Sequence, residues 1–186
     1  MKSLSYNDIC LVPQYGILKS RSEADTSVKF GNKIFRLPVT PANMVCSISL
    51  ELAYWLSESN YFYIMHRFNG ASNKKDLYHF VDKANKENWK TISVSIGVQK
   101  DDIDFIEWAN HKEKRIDYLC VDLAHGWSIR MKEMLEYLNN EFLPKKKPFI
   151  IAGNVGTVCA VYDLKNWGAN CAKIGLSYGR ACITKD

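Results

Sequence analysis

Cys182 lies in a glycine-bearing stretch, Gly175-Leu176-Ser177-Tyr178-Gly179-Arg180-Ala181-Cys182, just after an apolar run at 171–174. In a barrel-type α/β enzyme the loop leaving a strand's C-terminal end is where reacting groups are placed. A thiol there is a candidate nucleophile, open to activation by neighbouring dipoles or charges. Thr184, two residues on, offers a hydroxyl able to relay a proton. A cysteine taken alone is more often a packing residue, so this assignment rests on the loop around it.

Other strand ends carry polar tips. Val121-Asp122-Leu123-Ala124-His125-Gly126 places an acid and a histidine after an apolar run, although a lone histidine there is more often a hydrogen-bonded loop residue than a catalyst. His66-Arg67 makes a second tip, and Ser20-Arg21 precedes the first run; each arginine is a phosphate ligand or a surface ion-pair partner. At Gly153-Asn154-Val155-Gly156-Thr157 the glycines and the asparagine suit close backbone approach before a helix N-terminus, which is also the form of an ordinary strand-to-helix turn. The four histidines, at 66, 79, 111 and 125, have no metal-ligand spacing, and no zinc or catalytic transition-metal site is expected.

The elements that must position these tips follow from periodicity. Apolar runs at 37–40, 61–65, 91–96, 118–123, 149–152 and 171–174 predict six strands. Segments near 49–59, 73–88, 102–112, 128–142 and 158–167 carry apolar residues at three- and four-residue spacing and predict five helices outside a parallel sheet. Asn73 and Thr157 suit N-caps, Asp101 and Asp102 a first turn, and Gly168 a C-cap. The spacing is that of a (β/α)8 TIM barrel, of which about six of eight strands are present. The expected fold is therefore α/β, with residues 1–186 forming a single partial TIM-barrel domain. An open doubly wound sheet is disfavoured, because no G-x-G-x-x-G turn follows an early strand.

The 186 residues, 47% hydrophobic with a net charge of +5, fit a soluble globular unit. The basic run Lys145-Lys146-Lys147, between Pro144 and Pro148, is expected to solvate a turn. It lacks aromatic stacking partners, so no nucleic-acid partner is expected. Six dispersed cysteines without C-x-x-C spacing and with no leader ahead of them predict a reduced, cytoplasmic protein. Cys46, Cys120, Cys159 and Cys171 are expected to pack in apolar surroundings. No apolar run approaches a membrane span.

Several of these stretches together resemble one family, the guanosine monophosphate reductases, which are similar in fold and chemistry to inosine monophosphate dehydrogenases. The resemblance runs almost end to end: Tyr6-Asn7-Asp8-Ile9-Cys10-Leu11-Val12-Pro13, Ser20-Arg21-Ser22-Glu23-Ala24-Asp25, Pro41-Ala42-Asn43-Met44, Tyr63-Ile64-Met65-His66-Arg67-Phe68, Val121-Asp122-Leu123-Ala124-His125-Gly126, Ile151-Ala152-Gly153-Asn154-Val155-Gly156-Thr157 and the Cys182 loop. The forms at 41–44 and 63–68, and the absence of an inserted regulatory domain, favour the reductase over IMP dehydrogenase, which stays an alternative.

The resemblance implies a cytoplasmic homotetramer that converts GMP, NADPH and protons to IMP, ammonia and NADP. It assigns Cys182 as the nucleophile that forms a thioimidate at the purine C2 and Thr184 as a proton-handling residue. It assigns Ser20, Arg21, Arg67, Asp122, Leu123 and Ala124 to the dinucleotide. Carbonyls of Ser177, Gly179, Cys182 and Lys185 are assigned to a potassium ion. The family loop reads Gly-Ile-Gly-Pro-Gly, whereas here Ser177 and Tyr178 replace its second glycine and its proline, and Arg180 stands where a small residue is common. In family members a further part closes the barrel with two strands and brings most GMP contacts, a catalytic glutamate and a flap. These residues are thus expected to form an incomplete site, belonging to a truncated reductase or to one half of a split enzyme completed by a partner chain. The alternative of another class is a non-catalytic nucleotide-binding or assembly subunit.

Overall fold

A computed structural model of the chain describes residues 9–67, 75–141 and 147–176. Its elements are β1 (Val28–Phe30), β2 (Lys33–Phe35), α1 (Leu50–Glu58), α2 (Lys75–Lys86), β3 (Ser93–Ile96), α3 (Lys100–His111), β4 (Tyr118–Asp122), α4 (Ile129–Glu141), β5 (Phe149–Val155), α5 (Val158–Asn166) and β6 (Cys171–Ile174). The strands β3-β4-β5-β6 form one parallel sheet in chain order, each joined to the next by a helix. This is the predicted α/β arrangement, in keeping with part of a TIM barrel. The described residues do not close it.

The helices form where expected because their ends are satisfied. Ser49 and Thr157 accept from the backbone N–H groups of Leu52 and Ala160 at 3.2 and 3.3 Å, capping α1 and α5. The Asp102 carboxylate accepts from the Gly97 and Gln99 N–H groups, both at 2.9 Å, and so ties the end of β3 to the start of α3. Gly168, with φ +103°, ends α5 in the left-handed region; a Cβ there would collide with the Asn139 side chain, which bonds the Trp167 carbonyl at 3.0 Å. The expected cap Asn73 lies outside the described residues.

The two faces of the sheet bury different cores. Leu119, Val121, Ile150 and Ala152 point toward the helices and join Phe80, Phe105, Ile106, Met131 and Leu135. The opposite face packs Tyr118, Cys120 and Ile151 on Phe35, Phe62 and Ile64.

Two predicted strands are corrected. Residues 37–40 form none: Pro38 and Pro41 lack the N–H a ladder needs, and Val39 is 68% exposed. Residues 61–65 lie parallel beside β3 but make a single bridge, Met65 to Val94, with Met65 N–H donating to Ser93 O and Ser95 N–H to Met65 O at 3.0 and 2.8 Å. Conversely, the β1–β2 hairpin has no counterpart in the strand reading, because its strands of three residues are too short for alternation to register. Its signal is Gly31-Asn32 between Phe30 and Ile34, a hairpin-turn pair. The expected end of the fifth strand at 152 falls three residues short, as β5 continues to Val155.

Candidate functional site

Register stacks the barrel-side residues in layers. Tyr118 pairs with Phe149 at the N-terminal end; Cys120, Ile151 and Cys171 follow; Asp122, Gly153 and Lys173 form the layer at the C-terminal end. The same alternating face thus runs from aromatic to thiol to charge over five residues of β4.

In the C-terminal layer three side chains close a ring. Lys173 Nζ donates to Asp122 Oδ1 at 2.7 Å and to Asn43 Oδ1 at 2.9 Å, and Asn43 Nδ2 donates to Asp122 Oδ2 at 2.9 Å. Asn43 is buried, and the Asp122 and Lys173 side chains keep 17% and 33% exposure, so the short charge-assisted contacts offset a desolvation cost that either charge would bear if left without the other. The ring ties the loop before α1 to the ends of β4 and β6, and β6 leads directly into the segment carrying Cys182.

Arg67 reaches the same place, Nη2 donating to the Asp122 carbonyl at 3.2 Å. It flanks Gly97, where a Cβ would stand 3.4 Å from the guanidinium carbon and 2.9 Å from the Asp102 carboxylate. His66 beside it is buried. Leu123 exchanges backbone bonds with β5, its N–H donating to Gly153 O and its carbonyl accepting from Asn154 N–H, both at 2.7 Å. Gly153 and Gly126 permit this approach: a Cβ on Gly153 would lie 2.4 Å from the Lys173 carbonyl oxygen, and one on Gly126 2.8 Å from the Gly153 carbonyl carbon. From sequence, close backbone approach is expected at Gly153, Asn154 and Gly156 in a turn after the strand; β5 instead continues to Val155, and the close backbone approach is at Gly153 and Gly126.

Of the residues assigned to the dinucleotide, Arg67, Asp122, Leu123 and Ala124 come together at this pole, with Ala124 and His125 exposed. Ser20 and Arg21 do not join them. Both are exposed at a short 3-10 turn, where Ser20 Oγ accepts from Ser22 N–H. Cys182, Thr184, Ser177, Gly179 and Lys185 lie outside the described residues. Sequence alone assigns Asn43 and Lys173 no role; the available signal is a lysine inside the apolar run Cys171-Ala172-Lys173-Ile174, since a charge in such a run needs a carboxylate.

The other thiols divide. Burial, aided by the Asp122 carboxylate, pushes the Cys120 thiol up to about 12 despite Lys173 and Arg67, so it stays protonated and inert. Cys171, half-buried, is also raised by desolvation. Cys46 and Cys159 are exposed, contrary to the expected packing role: the first sits on an irregular loop and the second on the outer face of α5. No helix among the described residues is long and apolar enough to cross a membrane.

The sequence matches the IMP dehydrogenase / GMP reductase domain over residues 3–186. It is 44% identical over 186 residues to a GMP reductase of Lactobacillus gasseri, and 42% identical over 185 residues to those of Lactobacillus acidophilus and Staphylococcus aureus. Each alignment covers 100% of this chain and 54% of the relative, so the chain spans about half the length of the curated relatives it matches. With a domain match over nearly its whole length and a parallel sheet whose C-terminal pole gathers Arg67, Asp122 and Lys173, the chain belongs to the IMP dehydrogenase / GMP reductase family.

Proposed function

We propose that residues 1–186 are a single partial barrel domain carrying the cysteine loop and cofactor contacts of a GMP reductase. This enzyme reduces GMP with NADPH to IMP and ammonia in purine interconversion, as a cytoplasmic, potassium-dependent homotetramer. The observation that carries this reading is the similarity to GMP reductases along the whole chain. Geometry supports it, because four of the six residues assigned to the cofactor converge at the pole where β6 enters the Cys182 segment. A dinucleotide suits this rim: Arg67 and Lys173 bring positive charge, and exposed Ala124 is small enough for a ribose or phosphate to approach the backbone.

In this reading Cys182 Sγ bonds the purine C2, the exocyclic C–N bond breaks, and the nitrogen leaves as ammonia with a proton passed through Thr184. NADPH, when bound, supplies the hydride. Hydride arrival at C2 breaks the C–S bond, which returns the thiolate and yields IMP. The Asn43–Asp122–Lys173 ring fixes the stem from which the cysteine loop departs. Ser177, Gly179, Cys182 and Lys185 are the proposed carbonyl ligands of potassium.

The test is NADPH oxidation with GMP and potassium, using the chain alone and with a polypeptide holding the remaining barrel strands of a relative. Turnover that Cys182→Ala abolishes, and that Thr184→Val lowers by about 10²- to 10⁴-fold, is the expected result. Activity retained in Cys182→Ala overturns the covalent role. Ser177 and Tyr178, in place of glycine and proline, favour a second reading, a non-catalytic nucleotide-binding or assembly subunit. GMP binding without turnover under both conditions supports that one.

A further inference from the structure

At the N-terminal pole, opposite the ring of Asn43, Asp122 and Lys173, a cavity of about 370 Å³ opens between the β1–β2 turn, the α3–β4 connection and the start of β5. Lys33, Lys114, Arg115 and Lys147 line it against two carboxylates, Glu113 and Asp117, an excess of two positive charges. The charge is unevenly compensated. Asp117 Oδ2 accepts from the Ile92 N–H at 2.8 Å and faces both Lys33 Nζ at 3.4 Å and Arg115 Nε at 3.7 Å. One oxygen thus serves two cations, each beyond the roughly 2.7–2.9 Å of a charge-assisted bond.

The remaining partners orient these cations without cancelling their charge. Lys33 donates to the Lys90 carbonyl, Arg115 to the Trp89 carbonyl, and Lys147 to the amide oxygen of Asn139. Lys114 differs, holding Asp82 at 2.7 Å. Half-buried Phe149 gives the cavity an apolar side. Lys147 belongs to the basic run assigned from sequence to a solvated turn. The structure gives it a place among three other cations.

We propose that this cavity binds a small phosphate-bearing anion, with Lys33, Arg115 and Lys147 as its donors. With Lys114 held by Asp82, the three donors still outnumber the two lining carboxylates, which favours an anion, and the guanidinium fork suits two phosphate oxygens. The volume, at the lower end of the roughly 300–1,000 Å³ of small-molecule sites, admits more than a bare ion. Inorganic phosphate species and phosphate esters share this chemistry. Because the cavity lies at the other end of the strands from Asp122 and Lys173, the proposal stands apart from the catalytic reading.

Pyrophosphate and glycerophosphate, titrated separately into the chain at low ionic strength and followed by calorimetry and amide proton–nitrogen correlation spectra, test this. Saturable binding is expected, with shifts at Lys33, Arg115 and Lys147. Affinity should fall about tenfold in Arg115→Gln or Lys147→Gln and in about 0.5 M chloride, and Lys132→Gln should leave it unchanged. Because Arg115 also holds Trp89, the exposed Lys147 keeps the test valid if Arg115→Gln lowers Tm. Tighter glycerophosphate binding assigns an ester, and the reverse assigns a free phosphate species. No binding, shifts confined to the Arg67 and Lys173 pole, or affinity indifferent to both substitutions overturns the proposal.

Discussion

The two ends of the barrel-side face are built from the same alternating strand positions and do opposite work. At the N-terminal end the β1–β2 hairpin drives Phe30 against Phe62, Tyr118 and Phe149, with ring centroids 4.9, 5.6 and 4.9 Å away, and the Tyr118 hydroxyl donates to the Phe30 carbonyl at 2.6 Å. Two layers along, the same face ends in Asp122 and Lys173. Aromatic packing satisfies itself, whereas the charged layer is stable only because Asn43, Asp122 and Lys173 satisfy one another. The barrel-side face is therefore held by apolar packing at one end, and at the other it depends on polar groups that must compensate one another.

The comparison breaks most directly at the aromatic end. Phe35, 1% exposed and packed on Phe62 and Tyr118, should cost about 3–5 kcal/mol when replaced by alanine, read as a lower urea midpoint at unchanged slope. A loss below about 1 kcal/mol would mean that the hairpin is an ornament on the sheet rather than its plug.

At the charged end, Lys173→Met should cost about 1–2 kcal/mol, discounted because a third of the lysine side chain is exposed. A double-mutant cycle with Asn43→Ala measures the ring itself. Coupling of at least about 0.5 kcal/mol is expected, and simple additivity would show three independent contacts instead.

Between the layers sits Cys120, whose thiol is held up at about 12 against an unfolded value near 9. A raised value means that the native state holds its proton more tightly, so this stability is fully present below about pH 9 and drains away as pH rises toward 12. The slope approaches about 1.4 kcal/mol per pH unit for one proton. Cys120→Ala should be less stable at pH 7 yet lose less between pH 9 and 12, as followed by urea unfolding.

Sequence made the helix-side half of this molecule legible and the barrel-side half only in part. The runs at 118–123 and 149–152 announced buried strands because both faces are covered, and Thr157 and Gly168 marked helix ends through local hydrogen bonds that need no distant partner. Asp122 stood out as a polar residue ending an apolar run. Its partners did not, because Asn43 lies 79 residues before it and Lys173 51 after, and only folding brings them within 3 Å. The proline-bounded run at 37–40 misled for the converse reason: its apolar residues mimic a strand while its backbone lacks the donors to join one.

The smallest expected effect lies outside both ends and calibrates them. Asp82, on α2, is held down to about 2 by hydrogen bonds from Lys114 and Lys86, which stand 2.7 and 2.8 Å away. A lowered carboxylate value stabilises the fold above the unfolded value near 4, and that contribution is lost as pH falls through about 2. Asp82→Asn should therefore lower Tm slightly at pH 7, and by less and less as pH falls toward and below 2, and salt should shrink the difference because the site is open to solvent. The same substitution releases Lys114, which lines the N-terminal cavity, so pyrophosphate should bind Asp82→Asn more tightly than the parent chain. A cavity affinity that ignores this added charge would separate Lys114 from the anion site and leave Lys33, Arg115 and Lys147 to hold it.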